Sequence, residues 1–232
     1  MPPIQIYRLA SMTQPPSLES LISTSGASFR LLTDSERQAS LNAFLKHWHP
    51  HHDVWVFGYG SLVWRPEFDF LEQRHARVNG YHRSLCLWSR INRGTPERPG
   101  LVFGLDVGGS CRGMAYRVAS HQVQDTMQEL WKREMPSGAY IPKWLNCHTR
   151  EGAIRALVFT MDRSKDAYVR GLSKEQLVAI VQGARGTYGP CSEYILETAQ
   201  ALELAGIRDR KLQTLVAQLR DKPPDAAQGS QP

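Results

Sequence analysis

Short runs of apolar residues occupy the middle of the chain. They span residues 54–57, 85–88, 101–107, 113–118 and 154–161. Their β-branched and aromatic content is typical of buried strands. Gly108 and Gly109 separate the third run from the fourth, and this pair predicts a hairpin between two strands.

Helical periodicity flanks the strand-like runs on both sides. Thr33 and Glu36 have the spacing of a capping box and precede apolar residues at helical intervals, so we expect a helix to begin there. Further helices are predicted over residues 123–134, 173–182, 192–204 and 209–219. Strands in the middle with helices on either side, and no regular alternation of the two, predict an α+β fold.

Composition divides the chain into three parts. Residues 1–30 are rich in Ser, Thr and Pro, which predicts a flexible N-terminal arm. Residues 221–232 are polar and rich in helix breakers, which predicts a disordered tail. The segment between them, residues 31–220, is long enough to bury a core, and we interpret it as a single domain.

Charge and cysteine content narrow the function classes. The 232 residues include 28 Lys+Arg and 22 Asp+Glu, a formal net charge of +6 that favours an anionic partner. No apolar run approaches the roughly 20 residues that span a bilayer, and no basic segment leads into an apolar one at the N-terminus, so we expect no secretory signal. The four cysteines form no Cys-x-x-Cys pair, which favours reduced thiols in the cytoplasm.

A glycine-containing turn follows the first predicted strand, with the sequence Phe57-Gly-Tyr-Gly-Ser-Leu62. Glycines let backbone N–H groups approach a ligand closely, so the turn suits a carboxylate or a phosphate. A Rossmann site is not indicated, because neither a third glycine nor a βαβ pattern follows. Leu62 and Val63 after Ser61 also exclude a nucleophile elbow. An ordinary turn at the end of a strand fits the same residues.

Glu134 is the candidate acid/base, because helical spacing places it on an apolar stripe. It falls 11 residues after Val123, which at 3.6 residues per turn returns it to within roughly 20° of that residue. Pro136 indicates that the helix ends here, where the helix dipole disfavours a negative charge. Partial burial and the dipole both raise a carboxyl pKa toward the value that a general base needs. Pairing of Glu134 with Arg133 or Arg117 at the edge of the core is the alternative interpretation.

Three other segments contain candidate groups. The histidine-rich residues 47–52 include Pro50 and are interpreted as a solvated linker rather than a metal site. The glycine-rich residues 182–191, which precede Tyr194, form either a loop that closes over a site or a plain connection between helices. The arginine-rich residues 90–100 either bind an anionic substrate or form a solvated basic loop.

Taken together, four segments resemble the ChaC-type family of glutathione-specific γ-glutamylcyclotransferases. The segments are Val-Phe-Gly-Tyr-Gly-Ser-Leu-Val-Trp64, Arg112-Gly-Met-Ala-Tyr-Arg-Val118, Leu130-Trp-Lys-Arg-Glu-Met135 and Ser192-Glu-Tyr-Ile195. Their order and spacing are more specific than any one of them. The resemblance covers residues 54–219 and implies a small mixed β-barrel of the γ-glutamylcyclotransferase type with flanking helices.

The resemblance also implies an activity and a site. It implies cleavage of glutathione to 5-oxo-L-proline and L-cysteinylglycine, with no cofactor and no metal, and with neither a nucleic-acid nor a membrane partner. Glu134 is the implied catalytic residue. The implied substrate-binding residues are Val56, Phe57, Gly58, Tyr59, Gly60, Ser61, Leu62 and Tyr194. Two positions depart from the family pattern. Cys191 stands where family members often have Asn, and Pro99-Gly100-Leu101 stands where Pro-Gly-Arg is common.

Two other functions remain open at this point. A protein that senses γ-glutamyl compounds or regulates cation transport would use the same turn without turnover. A nucleic-acid-binding protein would account for the positive charge, but the sequence has no basic stripe with interleaved aromatic residues. The carboxylate on the apolar stripe favours the enzyme.

Overall fold

A five-stranded mixed barrel forms the centre of the computed structural model, which describes residues 19–20, 22–23 and 29–221. The strands are β1 (Val54–Gly58), β2 (Glu72–Ser89), β3 (Gly100–Val118), β4 (Tyr140–Thr149) and β5 (Gly152–Met161). They close in the order β1-β3-β2-β4-β5, and the parallel pairing of β1 with β5 completes the barrel. The predicted α+β class and the small mixed barrel are confirmed.

The predicted hairpin at Gly108 and Gly109 is wrong. Both glycines lie inside β3, which pairs with β2 along almost its whole length. Between the pairs Asn79–Ser110 and Tyr81–Val107, β3 has two residues where β2 has only Gly80. All three glycines have positive φ angles, so they form a β-bulge that bends two long strands rather than a turn that ends them.

Five α-helices surround the barrel within residues 29–221. They are α1 (Asp34–Leu45), α2 (Val123–Glu134), α3 (Lys174–Gly183), α4 (Cys191–Leu204) and α5 (Arg210–Asp221). Thr33 caps α1 and Ser173 caps α3, each through a complete capping box. The predicted helices are confirmed with ends that differ by at most two residues, because helix ends fray. None of the described helices is long and apolar enough to cross a bilayer.

Strand β4 was not predicted, although it completes the barrel. It contains Pro142, Lys143 and Asn146, and only Cys147 among its residues is fully buried. Its side chains therefore show neither the alternation nor the continuous apolar run that identifies a strand in a sequence. Its ten cross-strand pairs with β5 hold it in place.

The packing of α2 decides where Glu134 lies. The predicted stripe is confirmed, since Val123, Met127, Leu130 and Trp131 are all buried. The ring of Trp131 lies 5.4 Å from that of Phe159 on β5. This contact packs α2 against β5, and a hydrogen bond from Arg133 to Ser61 places the last turn of α2, with Glu134, beside the turn after β1.

The two ends of the sequence fall largely outside the described residues. Of the expected arm, residues 1–30, only residues 19–20, 22–23 and 29–30 are described, and of the expected tail only Asp221. Phe29 and Leu31 contribute to the wall of the cavity described below.

Candidate active site

A cavity of about 420 Å³ opens between the end of β1, the end of α2 and the start of α4. That size lies within the range of small-molecule sites. Six of the predicted site residues line it: Tyr59, Gly60, Ser61, Leu62, Glu134 and Tyr194. The fold therefore brings the predicted catalytic residue and most of the predicted binding residues to one place.

The other three predicted binding residues lie behind the cavity wall. The side chains of Val56 and Phe57 are completely buried in the core of the barrel. Gly58 packs against Leu62 and the ring of Tyr116, where an added methyl group would lie 3.0 Å from the Leu62 side chain. These residues therefore support the turn from behind, and none of them belongs to the described cavity lining.

The turn after β1 is held by contacts from three directions. Residues Ser61–Val63 form a short 3₁₀-helix. Arg83 on β2 donates from Nε to the carbonyl oxygen of Tyr59 over 2.6 Å. At Gly60, a Cβ atom would lie 3.0 Å from the hydroxyl oxygen of Tyr194, so only glycine leaves room for that phenol. The turn thus presents backbone N–H groups in a fixed geometry.

Glu134 is the last residue of α2, and its side chain is only 15% exposed. Burial raises the pKa of this carboxyl above its ordinary value, the neighbouring Arg133 lowers it, and the negative charge of Glu67 raises it. The net direction is upward, which moves the group toward the range of a general base at neutral pH.

The alternative pairing of Glu134 is partly correct. Nε of Arg133 lies 3.1 Å from Oε1 of Glu134, so the carboxylate does have a cationic neighbour. Arg117 instead pairs with Asp53 and Glu72, far along the barrel wall. The contact is made by Nε and Oε1, and it leaves room for a role of Glu134 in proton transfer.

Two buried tyrosines, Tyr59 and Tyr194, and the partly buried Tyr140 lie around the carboxylate. Tyr59 donates to the carbonyl of Phe159 over 2.9 Å, and Tyr140 donates to the carbonyl of Phe103 over 3.1 Å. Tyr194 accepts from the backbone N–H of Phe103 over 3.1 Å. Burial raises the pKa of each phenol, so all three remain protonated and neutral. Tyr140 was missed because it begins β4, and only tertiary structure brings it here.

The cavity lining carries a positive excess. Among the described residues that line it, five are cationic and two are carboxylates: Arg65, Arg90, Arg93, Lys132 and Arg133 against Glu67 and Glu134. Within the arginine-rich loop, the side chains of Arg90 and Arg93 are buried and hydrogen-bonded, and Arg98 is exposed outside the lining. The surroundings therefore favour an anionic ligand.

Sequence comparison identifies close relatives. The model of the family "ChaC-like protein" matches residues 54–222. The chain is 33% identical to the glutathione-specific γ-glutamylcyclotransferase of Escherichia coli (strain K12), covering 82% of this chain and 83% of that protein. It is 32% identical to the human glutathione-specific γ-glutamylcyclotransferase 1, covering 66% of this chain and 71% of that protein.

The fold comparison agrees with the sequence. The crystal structure of a yeast γ-glutamylcyclotransferase specific to glutathione superimposes with a TM-score of 0.68 at 20% identity, covering 73% of this chain and 96% of that one. The family model spans well over half of the sequence and includes the whole barrel. The chain therefore belongs to the ChaC-like family.

Proposed function

We propose that this protein is a glutathione-specific γ-glutamylcyclotransferase that converts glutathione to 5-oxo-L-proline and L-cysteinylglycine. The observation that carries the proposal is Glu134, a largely buried carboxyl with a raised pKa that faces a cavity beside the glycine turn. The names of the relatives from bacteria and animals support the same reaction and substrate.

The reaction needs one group that first accepts a proton and then returns it. Glu134 takes a proton from the α-ammonium group of the γ-glutamyl residue. The freed amine attacks the γ-carbonyl carbon and forms the new C–N bond of a five-membered lactam. Protonated Glu134 then donates to the nitrogen of the cysteinyl residue as the original amide bond breaks. The attacking nitrogen still carries one extra proton, which Glu134 takes and passes to the released amine. Cysteinylglycine then leaves as an ammonium and the carboxylate is regenerated.

The remaining residues of the site hold the substrate in a curled conformation. Backbone N–H groups from Gly60 to Leu62 bind the α-carboxylate of the substrate in this proposal. The neutral phenols of Tyr59 and Tyr194 exclude water from the carboxylate of Glu134. Well-oriented intramolecular reactions reach effective molarities of about 10⁵ M or more, so orientation supplies much of the acceleration.

We further propose that the enzyme works without a cofactor and in the cytoplasm. The nucleophile and the electrophile belong to one molecule, and the reaction consumes neither water nor an external nucleophile. The four cysteines are all free thiols, which fits a reducing compartment. The partner is the small anionic substrate, with no role for nucleic acid or a membrane.

Substitution of Glu134 by Gln tests the proposal. Glu134→Gln keeps the size of the side chain and removes the base, so release of 5-oxoproline from glutathione should fall by about 10²-fold or more. Glu129→Gln is the matched control, because Glu129 lies on the same helix, is 68% exposed and pairs with Lys132. A wild-type rate for the Glu134 variant would refute its role as the base. Glutathione binding without product from the wild-type protein would instead indicate a sensor.

A further inference from the structure

One guanidinium group connects the catalytic carboxylate to two loops. Arg133 donates from Nη2 to the hydroxyl of Ser61 over 3.0 Å, and its Nε lies 3.1 Å from Glu134. Its Nη1 donates to the carbonyl of Arg65 over 2.6 Å and to Oε2 of Glu67 over 2.9 Å. Every nitrogen of the guanidinium group therefore has a partner, and the side chain is only 22% exposed.

Glu67 is held beside this arginine by an unusual backbone. Its φ angle is 60°, in the left-handed region that favours glycine. Its carboxylate pairs with Arg65 over 2.5 Å as well as with Arg133. A non-glycine residue in this conformation is unfavourable by itself, and at this position Glu67 makes two ion pairs.

The two carboxylate oxygens of Glu134 have different surroundings. Oε1 faces Arg133, while Oε2 has no hydrogen-bond partner among residues 29–221. A proton acceptor needs an oxygen with an available lone pair, and this arrangement provides one at the cavity wall.

We propose that Arg133 and Glu67 act together as positioning residues for Glu134. Arg133 fixes one carboxylate oxygen of Glu134 and connects it to the turn at Ser61. Glu67 binds the same guanidinium group, so Arg133 is shared between two carboxylates. The inference rests on the proposed function, since it assigns Glu134 the role of base.

The two neighbours act on the carboxylate in opposite directions. Arg133 stabilises the ionised form of Glu134, and Glu67 destabilises it. The other groups that face Glu134 are the phenols of Tyr59, Tyr140 and Tyr194, which remain neutral throughout the working pH range. Burial raises the pKa of Glu134, and the balance between this cation and this anion adjusts the pH at which Glu134 becomes a base.

Substitutions that remove the charge of Arg133 or of Glu67 test the inference. The quantity measured is the acid limb of the pH profile, which is the fall of kcat/KM at low pH as the base becomes protonated. Arg133→Gln should move the limb to higher pH and lower kcat by about 10²-fold, the loss expected for a displacement of roughly 1 Å. Arg133→Lys keeps a charge without the planar fork, so its limb should lie nearer to that of wild type while kcat stays low. Glu67→Gln should move the limb to lower pH, because Arg133 then faces Glu134 alone.

The substrate's own ionisations are the same for every variant, so differences between limbs belong to the protein. Glu129→Gln should leave the limb in place, because the Glu129 side chain is exposed and pairs with Lys132. Glu67 is 44% exposed, so its Gln variant should fold, which thermal melting checks. That variant alone is decisive if Arg133→Gln fails to fold.

The two proposals fail in different ways. Unmoved limbs, or limbs that move in the same direction, would overturn the positioning role while an inactive Glu134→Gln variant still supports the cyclotransferase. An active Glu134→Gln variant would remove the base assignment itself, whatever the limbs do.

Discussion

Arg83 donates a hydrogen bond to the carbonyl oxygen of Tyr59, and this contact ties the glycine turn to the opposite side of the barrel. The side chain of Arg83 is only 4% exposed. It also pairs with Asp209, just before α5, and donates to the carbonyl of Arg112 over 2.6 Å. One buried cation thus holds the site, strand β3 and the last helix together.

Loss of this cation should destabilise the whole protein. Arg83→Met leaves the carbonyl oxygens of Tyr59 and Arg112 and the carboxylate of Asp209 without this partner, and breaking a buried pair in this way costs about 3–5 kcal/mol. The free energy of unfolding from urea titration measures the loss. Lys132→Met is the control, since its pair with Glu129 is exposed and should contribute less than about 1 kcal/mol. Equal stabilities for the two variants would contradict the prediction.

Glu134, the proposed base, should reduce stability at neutral pH. Its pKa is higher in the folded than in the unfolded chain, so the folded state loses stability as pH rises through the folded pKa. Glu134→Gln removes this penalty and should melt at the same temperature as wild type or higher at pH 7. Below the unfolded pKa of about 4.3 both chains are neutral at this position, and the advantage should disappear. The prediction would be wrong if the melting temperature of Glu134→Gln, measured relative to wild type, were lower at pH 7 than at pH 4.

The contact between Gly60 and Tyr194 predicts a steric effect on activity. The methyl group of Gly60→Ala would lie 3.0 Å from the phenol oxygen, which is held by the backbone N–H of Phe103. We expect kcat/KM to fall by about 10-fold or more because the turn must shift. Gly183→Ala, whose methyl group meets only Arg98 at 3.7 Å, should have little effect.

A double substitution separates this clash from other effects at Gly60. Tyr194→Phe removes the oxygen that the methyl group meets, so the loss on adding Gly60→Ala should be smaller in that background than in wild type. Strict additivity of the two losses would show that the hydroxyl is not the obstacle.

Local signals in the sequence predicted the parts of the site that one element provides. Glu134 was found from the period of α2, and the turn from its glycines, because both depend on residues close in the chain. The contacts of Arg133 with Ser61 and Glu67 span more than 60 residues, and no local pattern encodes them. Tyr140 and the bulge at Gly108 escaped for the same reason, since pairing between distant strands decides both.

The positive cavity predicts that substrate capture depends on salt. Arg65 lines the cavity, is 39% exposed and lies 5.1 Å above the ring of Tyr188. Salt screens the charge of Arg65 and of the other cationic residues that line the cavity. As the sodium chloride concentration rises, kcat/KM for glutathione should therefore fall while kcat stays nearly constant. Arg65→Gln should raise KM and flatten this dependence. A kcat/KM unaffected by salt would show that the excess charge does not guide the substrate.

The four thiols should be inert in the folded enzyme. All are buried, and burial raises the pKa of Cys86 and Cys147 to about 12 and that of Cys191 to about 11. The thiol of Cys191 also donates to the carbonyl of Leu101 over 3.1 Å. Because the thiolate is the reactive form, iodoacetamide at pH 8 should leave activity intact and label four thiols only after unfolding in urea. Rapid labelling of the folded protein with loss of activity would show that a cysteine is accessible near the site.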